Sequence, residues 1–338
     1  MPGLVSHSVL LNSALVVTHG DTGVVRVSGP DRATWLQGLL SNDVQALTPG
    51  RGCYSAWLTP QGRMLTDAVV LAERESLTVE LPPLLAAPLF RQLTAAIFAE
   101  DVVAVDESAT WRTLGVYGTH AAEVIARVLV GSRARASGSS LSAETLEDWP
   151  EYTHAGLPPD GRMYAARTFG VPGYVLRVPA DQTDLWASRL RLAGGVLAAP
   201  EAIEYARIEA GRPQFLVDMD ADTIPLEAGI EDRAISFTKG CYVGQEVVVR
   251  VLHRGGGRVA RKLVGLALDG ADVPQARAAI SSERGEIGRV TSAAWSPRLL
   301  RAVAMGYVHR DFTEPGTAVT VQCGPDAVPA TVKAFPIE

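Results

Sequence analysis

The sequence predicts an α+β fold that ends in a small β-barrel. Three observations carry this reading. Strand-like and helix-like stretches alternate through the first part of the chain, which favours layered packing. The run Arg254-Gly255-Gly256-Gly257-Arg258 marks a flexible boundary. Beyond it, short strand candidates follow one another with turns between them, as in a small barrel.

In chain order, Val24 to Val27 reads as a strand. Ser28-Gly29-Pro30-Asp31 then turns into a helix whose apolar face is Trp35, Leu36, Leu39 and Leu40, and Asn42 and Asp43 end it. Cys53 to Leu58 and Met64 to Leu71 are strands joined by Thr59-Pro60-Gln61-Gly62-Arg63. Asp67 interrupts the second strand's apolar residues, and alternation allows it to face water. Leu77 to Leu81 is a strand, Leu84 to Phe98 a helix, Asp101 to Val105 and Trp111 to Gly118 strands, and Ala121 to Val130 a helix. Residues 131 to 150 have weak periodicity. Met163 to Phe169 and Gly173 to Val178 are strands around Gly170-Val171-Pro172, and Asp184 to Ala193 and Ala202 to Glu209 are helices. On residue pattern alone, Tyr205, Arg207 and Glu209 read as a solvated helix face. Asp218, Asp220 and Asp222 invite a metal, but Thr223-Ile224-Pro225 does not continue a calcium loop, so a structural acidic turn is expected. The barrel strands are Leu263 to Leu268, Arg277 to Ser281, Gly288 to Ala293, Ala302 to Val308, Ala318 to Val321 and Ala330 to Ala334. The domain division expected is residues 1–254, as two intertwined subdomains, and residues 259–338 as the barrel.

Composition narrows the function. The formal charge of −6 over 338 residues gives no broad reason to bind nucleic acid. Cys53, Cys241 and Cys323 form neither a disulfide framework nor a zinc or iron–sulfur ligand run, which fits a reducing, cytoplasmic setting. No signal peptide is read, and no stretch reaches the roughly 20 apolar residues of a membrane span. No glycine-rich phosphate loop follows a strand. A monomer without resident metal is expected.

The chemically richest stretch is Lys239-Gly240-Cys241-Tyr242-Val243-Gly244-Gln245-Glu246. It sets a cation, a thiol, a phenol, an amide and a carboxylate side by side. With the apolar run Val247 to Leu252 behind it, it reads as a loop feeding a strand. A lone cysteine is also commonly a small buried hydrophobe.

This stretch resembles the signature of the YgfZ family, relatives of the glycine-cleavage T-protein, an aminomethyltransferase. The segments Gly29 to Val44, Thr59 to Met64, Arg207 to Pro213 and Pro225-Leu226-Glu227 extend the resemblance over most of the chain. It implies a multidomain ring around a central channel that binds tetrahydrofolate or a one-carbon-substituted tetrahydrofolate, followed by a C-terminal β-barrel. It also implies a role in assembly, maintenance or repair of iron–sulfur enzymes, including enzymes that modify transfer RNA. Iron–sulfur client or assembly proteins would then be transient partners, with no direct nucleic-acid contact and no permanently bound cluster. Against the T-protein pattern, Gly170-Val171-Pro172-Gly173 stands in place of a Gly-Glu-Asp-Gly segment and Thr66-Asp67 in place of an acidic pair. These departures weigh against aminomethyl transfer from a carrier protein and leave folate binding in place.

The resemblance makes Cys241 the functional thiol, with Lys239 favouring the thiolate through its charge. Asp67 and Glu209 become folate-pocket acids, since carboxylates accept hydrogen bonds from pterin N–H groups. Arg207 would orient an acid and Tyr205 would line the pocket. Gln245 and Glu246 would hold folate or a client group. Trp35 is either a pterin-stacking platform or core. The alternatives are a folate-dependent methyl- or aminomethyltransferase with Asp67 positioning an amine or its proton, and a noncatalytic regulatory or scaffold protein.

Overall fold

The structure is a computed structural model that describes residues 2–129, 135–136, 139–158, 160–254 and 258–338. Among them are two large open sheets, a two-stranded pair formed by Arg135–Ala136 and Ser139–Ser140, and a closed barrel. The five-stranded sheet has the order Gly52–Leu58, Met64–Ala72, Ser76–Leu81, Gly23–Ser28, Val103–Asp106, antiparallel throughout. Helices Arg32–Leu39 and Pro83–Ala95 contribute to its core, with Leu36, Leu89 and Leu93 buried against Val25, Val27, Val70 and Val79.

The six-stranded sheet has the order His154–Leu157, Gly161–Ala166, Gly173–Pro179, Trp111–Tyr117, Leu15–Gly20, Val196–Ala198. Only its last pairing is parallel. Helices Ala121–Leu129 and Thr183–Leu192 seal it through Ala121, Val124, Ile125, Trp186 and Leu190. These spacings of three and four residues place the apolar groups on one helical stripe. The two sheets meet where Leu71 packs with Tyr164, Ala166 and Val175. A buried ion pair crosses the same seam, with Arg177 Nη2 2.5 Å from Glu80 Oε2.

The barrel runs Arg261–Leu268, Arg301–His309, Gly285–Ser296, Ala279–Ser282, Ala318–Cys323, Asp326–Lys333 and closes on its first strand. Alternation fills it with Leu266, Leu268, Ile280, Val290, Val308, Val321 and Val332. The fold is thus the α+β architecture with a C-terminal β-barrel that the sequence predicts. Val130, most of 131–138 and the glycines 255–257 lie outside the described residues.

Two expectations are corrected and one open choice, at Trp35, is decided. The apolar run after the thiol loop is a helix, Gln245–Arg254, and not a strand. Val248 is buried and Val251 and Leu252 half-buried, at helical spacing, while Glu246 and Arg250 pair one turn apart on the outside at 3.1 Å. Tyr205, Arg207 and Glu209 are not a solvated face, for all three are buried in helix Glu204–Glu209. Trp35 is core, its ring nitrogen donating to the Ala96 carbonyl at 3.0 Å. Among the described residues no helix is long and apolar enough to cross a membrane.

Candidate functional site

A cavity of about 210 Å³ lies where the two sheets meet the segment after helix Glu204–Glu209. The five-stranded sheet contributes Tyr54, Asp67 and Val69, and the six-stranded sheet Tyr164 and Ala166. Glu151, Tyr152, Thr168, Arg212, Gln214 and Arg233 complete the wall from loops and a short helix. Gly211, in the left-handed region at φ 64°, turns the chain so that Arg212 enters this wall. Tyr152 holds a positive φ of 65°, costly for a residue with a Cβ and of the kind that clusters at functional sites.

Asp67 is half-buried, and its open surface gives onto the cavity. Burial pushes its carboxyl up to about 6, although the Tyr54 hydroxyl, its own backbone and the Arg233 charge all act to lower it. Tyr54 donates to Asp67 Oδ2 at 2.8 Å, and its own hydroxyl is held well above the usual phenol range, first by burial and then by Asp67. The pair therefore offers a carboxyl that changes charge near neutrality beside a hydroxyl that stays protonated. The Arg233 guanidinium lies 5.0 Å from the centre of the Tyr54 ring.

The other sequence-predicted residues divide among three places. Arg207 borders the cavity, but its donors are taken. It bonds Glu204 through Nε and Nη2, the Arg212 carbonyl at 2.6 Å and Asp218 at 2.7 Å through Nη1, and Ser292 at 2.9 Å through Nη2. Asp218 also accepts from Thr291 at 2.5 Å and Ser292 at 2.7 Å, which ties the turn 214–219 to the barrel. Asp220 accepts from the Asp222 backbone and the Thr223 hydroxyl at 2.9 Å each, and Asp222 pairs with Arg63 at 2.8 Å.

Tyr205 and Glu209 line a second cavity, of about 220 Å³, with His7, Phe169, Ala210 and Arg298. Glu209 accepts from Ser296 and, at 2.8 Å, from Arg298 Nε, so the structure does not bring it to Asp67. The Tyr205 hydroxyl meets His7 Nδ1 at 3.3 Å.

Lys239, Cys241, Gln245 and Glu246 belong to neither cavity lining. Lys239 Nζ donates to the carbonyls of Gln37, Leu40 and Asn42 at 2.7, 2.6 and 2.9 Å. This places a cation on the carbonyl end of helix Arg32–Leu39. Desolvation lowers its amine to about 8, against the opposing charges of Asp43 and Cys53. The ammonium is thus spent on fixing the loop. Cys241 is exposed, while the neighbouring Tyr242 is buried and anchors the loop from below. Gly244, at φ 85°, passes so close to the hairpin that a Cβ would lie 2.5 Å from the Thr59 carbonyl. Gln245 and Glu246 open the following helix, with Glu246 turned to solvent.

Tyr54, Tyr152, Tyr164, Arg212 and Arg233 are cavity residues that sequence reasoning missed. They come from five separate parts of the chain and share no spacing. Arg212 alone had a signal, standing inside the segment Arg207 to Pro213 that carries the family resemblance.

With this geometry in hand, known proteins place the chain. Residues 6–239 match the family described as GCVT N-terminal domain, and residues 261–337 the glycine cleavage T-protein C-terminal barrel domain. An aminomethyltransferase from Synechococcus sp. (strain WH7803) is 30% identical over 93% of this chain and 84% of its own length. An aminomethyltransferase from Rubrobacter xylanophilus is 31% identical over 93% of this chain and 80% of its own. The crystal structure of glycine cleavage system aminomethyltransferase T from Bartonella henselae superposes with a TM-score of 0.84 at 20% identity, over 99% of this chain and 89% of that one, a likeness of fold. The chain therefore belongs to the GCVT N-terminal domain family and carries that family's C-terminal barrel.

Proposed function

We propose that the cavity between the two sheets binds a folate-type cofactor, tetrahydrofolate or a one-carbon-substituted form, and that the protein acts in one-carbon transfer of the aminomethyltransferase type. The observation that carries this reading is Asp67, a carboxyl raised to about 6 in a tyrosine-walled cavity. The residues present fit a pterin. Tyr54, Tyr152 and Tyr164 offer flat apolar surfaces, while Asp67 and the Gln214 amide offer polar partners for ring nitrogens and oxygens. At about 210 Å³ the cavity holds one end of an extended ligand, and the remainder leaves through the mouth. When bound, tetrahydrofolate supplies nitrogen atoms that accept a one-carbon unit. Asp67 supplies the proton-holding group beside them, ionised above about pH 6 and able to accept a proton from an attacking amine. Tyr54 keeps the carboxylate pointed at the cavity through its hydrogen bond. The relatives named aminomethyltransferase support this reaction class. The division of the chain into residues 1–254 as the folate-binding region and 259–338 as a separate barrel domain is part of the same proposal.

Calorimetry with tetrahydrofolate tests the reading. Binding by the wild type, with a loss of about tenfold or more in Asp67→Asn, is expected from removing a charged hydrogen-bond acceptor. Wild-type protein that does not bind tetrahydrofolate would sink it. Substrate-dependent one-carbon turnover then separates transfer from mere binding.

A second reading, maintenance of iron–sulfur enzymes through Cys241 as in the YgfZ resemblance, is supported by one observation. The thiol is exposed on a loop that Lys239 and Tyr242 pin, outside the cavity lining, where a protein client has access. Lys239, Gln245 and Glu246 then hold the loop and its following helix in place. Unchanged client-enzyme activity in cells carrying a stable Cys241→Ala protein would remove this role.

A further inference from the structure

We propose that Arg212 and Arg233 form a carboxylate-binding subsite in the cavity, so that its ligand carries a carboxylate as well as the group that meets Asp67. This inference rests on the reading of the cavity as a ligand site and adds the charge of the ligand.

The argument is one of unspent donors. Arg212 Nη1 is buried and has no hydrogen-bond partner. Its other terminal nitrogen reaches Glu151 only at 3.5 Å. Arg233 lies over the Tyr54 ring and forms no ion pair among the described residues. Both guanidiniums border the same cavity. Arg207 on that wall shows the contrast, since each of its nitrogens is bonded to protein oxygens. A buried guanidinium nitrogen left without an acceptor is costly, and a second cation beside it adds to the cost. Burial and then the Arg233 charge hold Arg212 below its usual range, the mark of two like charges with too little between them. An anion relieves both.

The planar guanidinium fork matches a carboxylate, through two parallel N–H···O bonds. A single negative charge also suits a wall that holds Glu151 and Asp67, which would repel a doubly charged group. The carboxylate fits a small amino acid that shares the cavity with the pterin; the glutamyl tail of a folate, which bears two carboxylates and leaves through the mouth, is the competing source that the test separates. The chemistry at the two arginines is the same.

The test compares ligands with and without the carboxylate, on the full-length chain, by calorimetry. The first pair is tetrahydrofolate and the carboxamide of tetrahydropteroic acid, which lacks the glutamyl tail and bears no carboxylate. The second is glycine and glycinamide. Arg212→Gln and Arg233→Gln are expected to lose at least about tenfold more affinity for the carboxylate-bearing member of one pair than for its partner. Selective loss for tetrahydrofolate names the tail as the source, and selective loss for glycine names an amino acid. If either variant melts below the assay temperature, Arg212→Lys or Arg233→Lys replaces it, keeping the charge and removing the fork, with the same ratio read. Variants that bind every probe as the wild type does, or that lose both members of a pair equally, overturn the subsite. Wild type that binds neither carboxylate-bearing probe overturns it as well. Wild type that ignores tetrahydrofolate but binds glycine in an arginine-dependent way leaves the subsite standing and removes the folate reading.

Discussion

Asp67 is a carboxyl whose ionisation the fold opposes. Its folded value of about 6 lies above the ordinary 3.8. The direction of the pH effect follows from that order. Below pH 3.8 the group is protonated in both states and costs nothing, whereas above about 6 the folded protein bears a buried charge that the unfolded chain carries freely. Full expression of this difference amounts to roughly 3 kcal/mol, an upper figure because part of the side chain opens to the cavity. Asp67→Asn is therefore expected to be more stable than the wild type in urea unfolding at pH 8 and indistinguishable from it at pH 3.5, while binding folate more weakly. An equal gain at both pH values would assign the effect to packing instead of charge. Lys239 is likewise a charge that burial opposes, its amine lowered to about 8, but its three donors hold the carbonyls of Gln37, Leu40 and Asn42. Lys239→Met leaves three carbonyls without their donor and is expected to cost roughly 2–4 kcal/mol of stability, read from denaturant midpoints at unchanged slope.

At the scale of elements, helix Glu204–Glu209 explains why two acids expected in one pocket line two different cavities. Residues two apart on a helix point to nearly opposite sides, and residues four apart share a side. Tyr205 and Glu209 therefore face the second cavity together, while Arg207 turns into the Asp218 and Ser292 cluster. Asp67 was legible because a charge between buried strand residues needs a reason. Arg233 and Tyr54 were not, since no rule of spacing joins a short helix to a distant strand. Helix Gln245–Arg254 was misread because three consecutive valines favour a strand locally, and the packing of Val248 overrides that preference. The barrel strands were legible because turns punctuate them. The turn 214–219 hangs on Asp218, which is fully buried against Arg207. Asp218→Ala is expected to cost about 3–5 kcal/mol, the penalty of leaving a buried guanidinium short of its partner. Chemical denaturation measures it, and a loss under about 1 kcal/mol would show that water takes over the carboxylate's place.

At the scale of the molecule, the barrel completes the polar network of the rest. It supplies Thr291 and Ser292 to Asp218, and Ser296 with Arg298 to Glu209. It also buries Ile208 against Leu263, Val303, Met305 and Tyr307. A chain ending at Arg258 would expose that apolar surface and leave both acids short of donors. Such a fragment is expected to lack the cooperative melt of the full chain and to bind tetrahydrofolate weakly, because Arg212 and Gln214 border the turn the barrel holds. A fragment with the full chain's melting temperature would show that the two halves are independent.

The distribution of thiols has a practical consequence. Cys323 is buried, and Cys53 sits where burial pushes its thiol up to about 12, so neither presents a ready thiolate. Cys241 alone is exposed. The unmodified chain thus carries a single exposed thiol, on a surface loop that is no part of the cavity lining. A maleimide-linked fluorophore placed there would report on that loop by spectroscopy, without any engineered residue and without a reagent entering the cavity.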